Sequence, residues 1–409
     1  MFNYNFKILA SAIFFKYMGI SLYTVAAMML VLDLTHNPFY SGVALFAVSL
    51  PACFGFLIAP LVSSLNYKKT LIICECIKFI FLTVIICLSL INYNSVVLVI
   101  IMMFTIALLS QFTYPIESTL IPIILEKDNI IKGNSIINTI RESLRIVFLG
   151  VAGLTVSAIG PTFTFIITAS GFMITSLLYC LFRNININID LAEAEERFKL
   201  KQITVNYTKD IKEALGYVRN SIIPYIVIGA TLANFFAGGM LAALPDFSLT
   251  KGGEQFYGYY MMSEAVGMLI GSLISPQLKK IPFGIICISA SLLAGVFWIS
   301  TSFLPSFVSV FMYGTGFMFL AFINIMIFSS IQQQVSVEMV GRIMALISSF
   351  ASISLPIGSL LGGYIATSIG SQYSIIFGGV GMIIFSMMWT FNLKLRKLPN
   401  IEKIKFISN

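Results

Sequence analysis

Almost the whole chain is a succession of apolar runs of about 20 residues or more, each closed by a short polar stretch. That pattern leaves few folds open. Hydrocarbon offers no partner to a backbone N–H or C=O, and a helix satisfies both within one segment. Composition agrees: 58% of the 409 residues are hydrophobic and 10% are charged, against about 25% charged in soluble domains. The runs and their punctuation predict twelve spans, near 8–32, 40–62, 70–92, 95–124, 135–160, 162–182, 222–245, 256–278, 282–304, 306–334, 342–368 and 372–392. Little sequence remains outside them, and there is no room for a catalytic domain.

One pattern occurs twice. Gly341–Gly363 opens on Gly341-Arg342 and enters an apolar span carrying Pro356, Gly358, Gly362 and Gly363. A weaker copy runs from Gly133 to Gly153, again after a long span and a short charged loop. Internal repeats of this kind are a building plan of secondary transporters. The expected fold is an all-α integral membrane protein with twelve transmembrane helices in two six-helix bundles. The first bundle covers 1–182 and the second 222–393. A cytoplasmic linker, 183–221, carries an amphipathic helix spaced by Ile211, Leu215 and Val218, and 394–409 forms a cytoplasmic tail.

The charges test this topology. With twelve spans, 21 of the 25 basic residues fall on the side of the two termini, counting Arg141 and Arg342 at the inner ends of their spans. The opposite side holds Lys251 alone. By the positive-inside rule both termini are cytoplasmic, and abundant Ile, Asn, Lys and Phe point to an AT-rich bacterial genome, so the expected location is a bacterial cell membrane. The same placement explains the net charge of +8 without nucleic acid.

Seven ionisable residues fall within spans: Lys16, Lys78, Arg145, Glu75, Glu117, Glu142 and Glu264. Such residues are costly in lipid and are functional candidates. Glu75–Lys78 and Glu142–Arg145 are each i,i+3 and can pair along one helix. Lys16 and Glu117 both lie about 10–12 Å from the inner ends of their spans at 1.5 Å per residue, so they can meet if spans 1 and 4 are neighbours. Glu264, in the outer half of span 8, has no oppositely charged residue within a helical turn. Glu264 and Glu117 are the proton-coupling candidates. Lys16, Gln111, Tyr114, Asn234, Phe235 and Asn324 are candidates to line a substrate cavity, although amides in spans also join helices by hydrogen bonds. Gly341, Arg342, Pro356 and Gly358 are candidates for a gate or hinge. No phosphate-binding glycine loop, nucleophile triad or metal-ligand cluster is found, so no enzyme activity, cofactor or metal is expected. The six cysteines lie in apolar segments and are expected to be free thiols.

Several pieces carry a family likeness: Val31–Thr35 closing span 1, Pro115–Pro122 (PIESTLIP), Glu213–Arg219, Leu244-Pro245, Tyr257-Gly258 with Gly267 and Gly271, Gly341-Arg342, Leu355–Gly358 and Gly362-Gly363. In this order they resemble the major facilitator superfamily, in the branch of macrolide-efflux proteins and the enterobactin exporter. The resemblance implies bundles that rock about a cavity lined by spans 1, 4, 7 and 10. It also implies a monomer exporting a small amphipathic molecule (drug, antibiotic or metallophore) in exchange for protons. A nutrient importer, or a transport-inactive sensor or partner, is the alternative on the same fold. The chain departs from the pattern at Ser63 and Ser275, where relatives carry an acidic latch, and at Ile20, where the branch often has aspartate.

Overall fold

A computed structural model describes residues 3–55, 58, 62, 65–183, 223–334 and 337–400, without the side chains of 127, 131, 223, 328–334 and 337–351. The chain is helical throughout this region. The helices are α1 (Tyr4–Thr35), α2 (Pro38–Cys53), α3 (Tyr67–Leu90), α4 (Val96–Ile124), α5 (Lys127–Cys180), α6 (Ile223–Lys251), α7 (Glu254–Ile274), α8 (Phe283–Phe303), α9 (Ser306–Gln334), α10 (Val337–Ile369) and α11 (Ser371–Phe391), with a short α12 (Leu393–Arg396). Among the described residues nine helices are long and apolar enough to cross a membrane. One of them, α5, is two spans joined at Gly160, whose φ of 78° and ψ of 165° break the helical path just before Pro161. Only glycine adopts that backbone without strain, and proline then suits the first turn of the next helix. The shorter α2 and the more polar α7, with Glu264 and three tyrosines, complete twelve.

The chain divides into two units. Unit 1 comprises Met1–His36 and Ala47–Thr204, and unit 2 comprises Asn37–Phe46 and Val205–Asn409. The division therefore falls inside α2 as well as in the connection between the bundles. The start of α2 packs on α10, where Gly42 and Gly363 let the backbones touch and Ser359 Oγ donates to the Gly42 carbonyl at 3.1 Å. Thr367 Oγ1 adds a 2.7 Å bond to Asn37 Oδ1.

In unit 1, α1 lies along α5 and α4, and α3 lies against α5 and α4. In unit 2, α6 lies along α10 and α11, while α8 lies against α11 and α9. One packing scheme is thus used twice, as the repeated pattern predicts. In unit 2 the closest approach comes from small residues. A Cβ on Gly358 would overlap the Phe235 carbonyl, and one on Gly362 would overlap the backbone of Gly239. Gly358 is therefore a contact between α6 and α10, and α10 runs unbroken past the buried Pro356.

Outward faces are apolar: Leu90, Leu273, Phe307, Phe311 and Phe391 are all more than 60% exposed. Water would penalise so much contiguous hydrocarbon, and a bilayer is its matching solvent. Several boundaries differ from the sequence expectation. Helix α5 begins at Lys127 rather than 135, and α6 continues through Pro245 to Lys251. The first residues of the expected tail turn back on unit 2, where the Phe283 N–H donates to the Pro399 carbonyl at 3.0 Å and Leu395 is fully buried. The linker 183–221 lies outside the described residues apart from Arg183, its expected amphipathic helix included, as do Ser63 and 401–409.

Candidate functional site

The face of α1 that carries Phe6, Leu9, Ala12 and Ile13 is buried against Leu71, Ile116, Leu120, Ile121 and Ile137 of α3, α4 and α5. One turn beyond Ile13 the same face presents Lys16, which is 1% exposed. An ammonium cannot stay there without partners. Its Nζ donates to Glu117 Oε1 at 2.5 Å and to Thr113 Oγ1 at 2.7 Å, both on α4. Glu75 Oε1 on α3 lies 3.9 Å away.

Glu117 is held from three directions. Besides Lys16, the Tyr179 hydroxyl donates to Oε1 at 2.9 Å and Arg141 Nη2 donates to Oε2 at 3.1 Å. Glu75 takes its closest bond from Lys78 Nζ, at 2.9 Å. The ring of Phe172 lies 5.5 Å from the Lys78 ammonium, and the Arg141 guanidinium lies 4.8 Å from the ring of Tyr114 and 5.5 Å from that of Tyr17. Five ionised side chains from α1, α3, α4 and α5 thus form one buried cluster. Removing one partner of a buried pair typically costs about 3–5 kcal/mol, because the other charge stays behind unpaired.

The structure brings Lys16 to Glu117 and Glu75 to Lys78. It separates Glu142 and Arg145 from the cluster: they sit 3.9 Å apart with side chains 60% and 39% exposed. Their i,i+3 pairing is present, on an accessible face of α5 rather than in the buried cluster. Arg141 changes in the other direction. Placed at a loop edge by its sequence position, it is buried against Glu117, about 21 Å along a helix that starts at Lys127. The early start of α5 was the missing clue. Tyr179 and Thr113 left no signal in the sequence, since a hydroxyl in a span usually bonds to its own helix.

The remaining candidates are dispersed. Gln111 is half-buried on α4, and Tyr114 is 53% exposed over Arg141. In unit 2, Asn234 donates to the carbonyl of Ala230 on its own helix at 2.9 Å. Phe235 packs edge-on against Phe236 and Phe377, with centroids 5.4 and 6.0 Å away. Asn324 is exposed on α9. Glu264 is half-buried on α7, within electrostatic reach of the Tyr257 and Tyr313 hydroxyls. Ser275 is buried and donates to the Gly271 carbonyl on its own chain segment at 2.7 Å. Gly341 and Arg342 lie in α10 where side chains are not described. Among the described residues no group of histidine, cysteine and acidic side chains is placed to hold a metal.

Two basic residues expected only to set topology also close helices. Lys68 Nζ donates to the Phe182 carbonyl at 2.8 Å, just past α5, and Lys251 Nζ donates to the Leu304 carbonyl at 2.8 Å and the Ser302 carbonyl at 3.2 Å, at the end of α8. Cations at helix C-termini meet the negative end of the dipole and unpaired carbonyls.

Known proteins share both sequence and architecture with this chain. It is 24% identical over 298 residues to the uncharacterized MFS-type transporter YvqJ of Bacillus subtilis, covering 71% of this chain and 69% of that protein. YkuC, an uncharacterized MFS-type transporter of the same organism, is 27% identical over 288 residues, 68% of this chain and 65% of its own. Among solved structures, the nucleoside transporter NupG superposes with a TM-score of 0.73 at 13% identity, over 98% of this chain and 100% of the other. A POT family transporter in complex with 5-aminolevulinic acid gives 0.67 at 13% identity, over 96% of each. At such identities these structures speak for the fold alone. Residues 1–408 match the family model described as transmembrane secretion effector, and the chain belongs to that family of the major facilitator superfamily, as a multi-pass membrane protein of secondary small-molecule transport.

Proposed function

We propose that this carrier works by alternating access and that the Lys16–Glu117–Arg141 cluster is where solute binding and energy coupling meet. The observation that carries the reading is five ionised side chains enclosed in a membrane bundle, an arrangement with a large desolvation cost and no catalytic partner. Glu117 accepts from three donors, two on Oε1 and one, the Arg141 guanidinium, on Oε2. A solute that draws Arg141 away would open that position, which links solute occupancy to protonation. Glu264 in unit 2 is the second proposed proton site.

Two directions of transport have separate support. Uptake of a nutrient-like solute is favoured by the solved transporters of this fold, named for a nucleoside and bound to 5-aminolevulinic acid. Export of a drug, antibiotic or metallophore is favoured by the family description as secretion effector and by the PIESTLIP and Gly341-Arg342 stretches. No relative's name supplies a cargo for the macrolide or enterobactin branch, so uptake is the better supported of the two.

Oriented proteoliposomes with an imposed proton gradient test both readings. Adenosine, 5-aminolevulinic acid and erythromycin are offered in turn on each side, with the Glu117→Gln protein as control. Gradient-driven accumulation of either of the first two on the cytoplasmic side, lost in the variant, supports uptake. Gradient-driven erythromycin efflux supports export. Transport unchanged in Glu117→Gln would remove the cluster from the mechanism.

A further inference from the structure

The charges of the buried cluster do not cancel. Lys16, Lys78 and Arg141 supply three positive charges, and Glu75 and Glu117 supply two negative ones. Ion pairs between described residues add no further acid to the cluster. The tyrosines around it, Tyr17, Tyr114 and Tyr179, contribute rings and hydroxyls but no charge. A surplus cation in a low-dielectric interior is unfavourable until an anion joins it.

The surplus has one accessible location. Lys16, Glu75, Lys78 and Glu117 are sealed at 0–1% exposure, whereas Arg141 reaches the accessible surface at 7%. Its Nη2 is taken by Glu117, but its Nε is buried and makes no hydrogen bond. A guanidinium presents donors in a planar fork suited to two oxygens of one carboxylate or phosphate. The half-exposed ring of Tyr114 stacks over the same guanidinium at 4.8 Å and offers a flat apolar wall beside it. Glu75 Oε2 is also buried without a hydrogen bond. It does not make a counterpart cation site, because Glu75 is fully enclosed and already faces two ammonium groups.

We infer that Arg141, with Tyr114 beside it, is a docking point for an organic anion, and that the solute carries a carboxylate or phosphate group next to a flat apolar body. The inference rests on the proposed function in taking this anion to be the transported solute. A lipid phosphate has the same chemistry as a soluble one, and the two are separable by experiment.

The full chain is placed in nanodiscs of neutral phosphatidylcholine, and its thermal unfolding midpoint is followed against 1-naphthoate and the matched cation 1-naphthylmethylammonium. Naphthoate should raise the midpoint in a saturable way and the cation should not. Arg141→Gln should weaken apparent naphthoate affinity by about tenfold or more, and Arg141→Lys should retain part of it. Should Arg141→Gln fail to fold, Tyr114→Leu, which leaves every ion pair in place, should also weaken naphthoate. If phosphatidylglycerol in the disc gives an Arg141-dependent shift and competes with naphthoate, the docked anion is a lipid headgroup. The proposal is overturned by equal shifts from anion and cation, by shifts indifferent to Arg141 and Tyr114, or by no shift from either naphthoate or phosphatidylglycerol. Binding is read here without transport. A chain that binds naphthoate but moves nothing breaks the transport reading alone, whereas one that moves solutes without Arg141-dependent anion binding breaks only this one.

Discussion

Where α1, α3, α4 and α5 meet in unit 1, the interior holds three cations and two carboxylates. Where α7, α8 and α9 meet in unit 2, it holds Tyr260, Tyr313, Trp298 and Phe317, with ring centroids 4.8–5.3 Å apart between neighbours. Two polar groups there pair without ions: the Tyr260 hydroxyl with Ser309 Oγ at 2.6 Å, and Trp298 Nε1, which donates to the Tyr313 carbonyl at 3.2 Å, while the buried Tyr313 hydroxyl makes no hydrogen bond. All ion pairs between described residues belong to unit 1. A repeated packing scheme therefore leaves the choice of interior chemistry free in each copy. Unit 2 gains cohesion from glycine-lined helix contacts and interlocked rings, which tolerate a lipid setting at little desolvation cost. Unit 1 carries an interior whose charges are costly to leave unpaired, so its stability depends on each of them keeping its partner.

The sharpest way to break this contrast is at Glu117. Glu117→Gln strands both Lys16 and Arg141, and should destabilise unit 1 by about 3–5 kcal/mol. Lys16→Met leaves Glu117 with Arg141 and Tyr179, so its loss should be smaller. The double variant should fall short of the sum by about 1–3 kcal/mol, measured by denaturation in detergent. Additive losses would show that the two groups do not act as a pair. Next in size is Gly358→Leu, which forces α6 and α10 apart and should cost about 1–3 kcal/mol. Wild-type stability in that variant would remove close backbone contact as the basis of unit 2. Lys251→Ala should cost about 0.3–1 kcal/mol through the exposed end of α8. Smallest is Arg145→Gln, about 0.5 kcal/mol or less, because its partner Glu142 is largely exposed. A loss as large as that at Glu117 would mean that exposure does not separate the two kinds of pair. Glu264→Gln sharpens the comparison by function: it should leave the protein folded and abolish solute-dependent proton movement in vesicles. Normal coupling in that variant would confine protonation to unit 1.

Much of the scaffold was legible because lipid imposes a simple rule on the chain. Spans 306–334 and 372–392 fall within a residue of α9 and α11, since each run ends where polar or helix-breaking residues begin. Boundaries slipped where the helix outlasts its hydrocarbon. Lys127–Asn134 is polar yet helical, and Pro245 interrupts the pattern of α6 without ending it. The candidate site was legible in part. Depth along a helix is proportional to residue number, so the equal depths of Lys16 and Glu117 pointed to each other. Arg141 was hidden because its helix began eight residues before its apolar run, and Tyr179 because one hydroxyl in a span looks like any other.

Sequence alone determined that the chain crosses a membrane, that its architecture is written twice and that a few ionised residues lie where lipid does not tolerate them. These follow from one-dimensional quantities: run length, periodicity and charge position. Tertiary structure alone decided which ionisable residues share an interior, that Arg141 belongs with them while Glu142 and Arg145 stay accessible, and that three bases there meet two acids. Those outcomes depend on how helices rotate about their own axes and which faces they turn to one another. A change of 100° per residue carries neighbouring side chains from a buried interior to the lipid-facing surface.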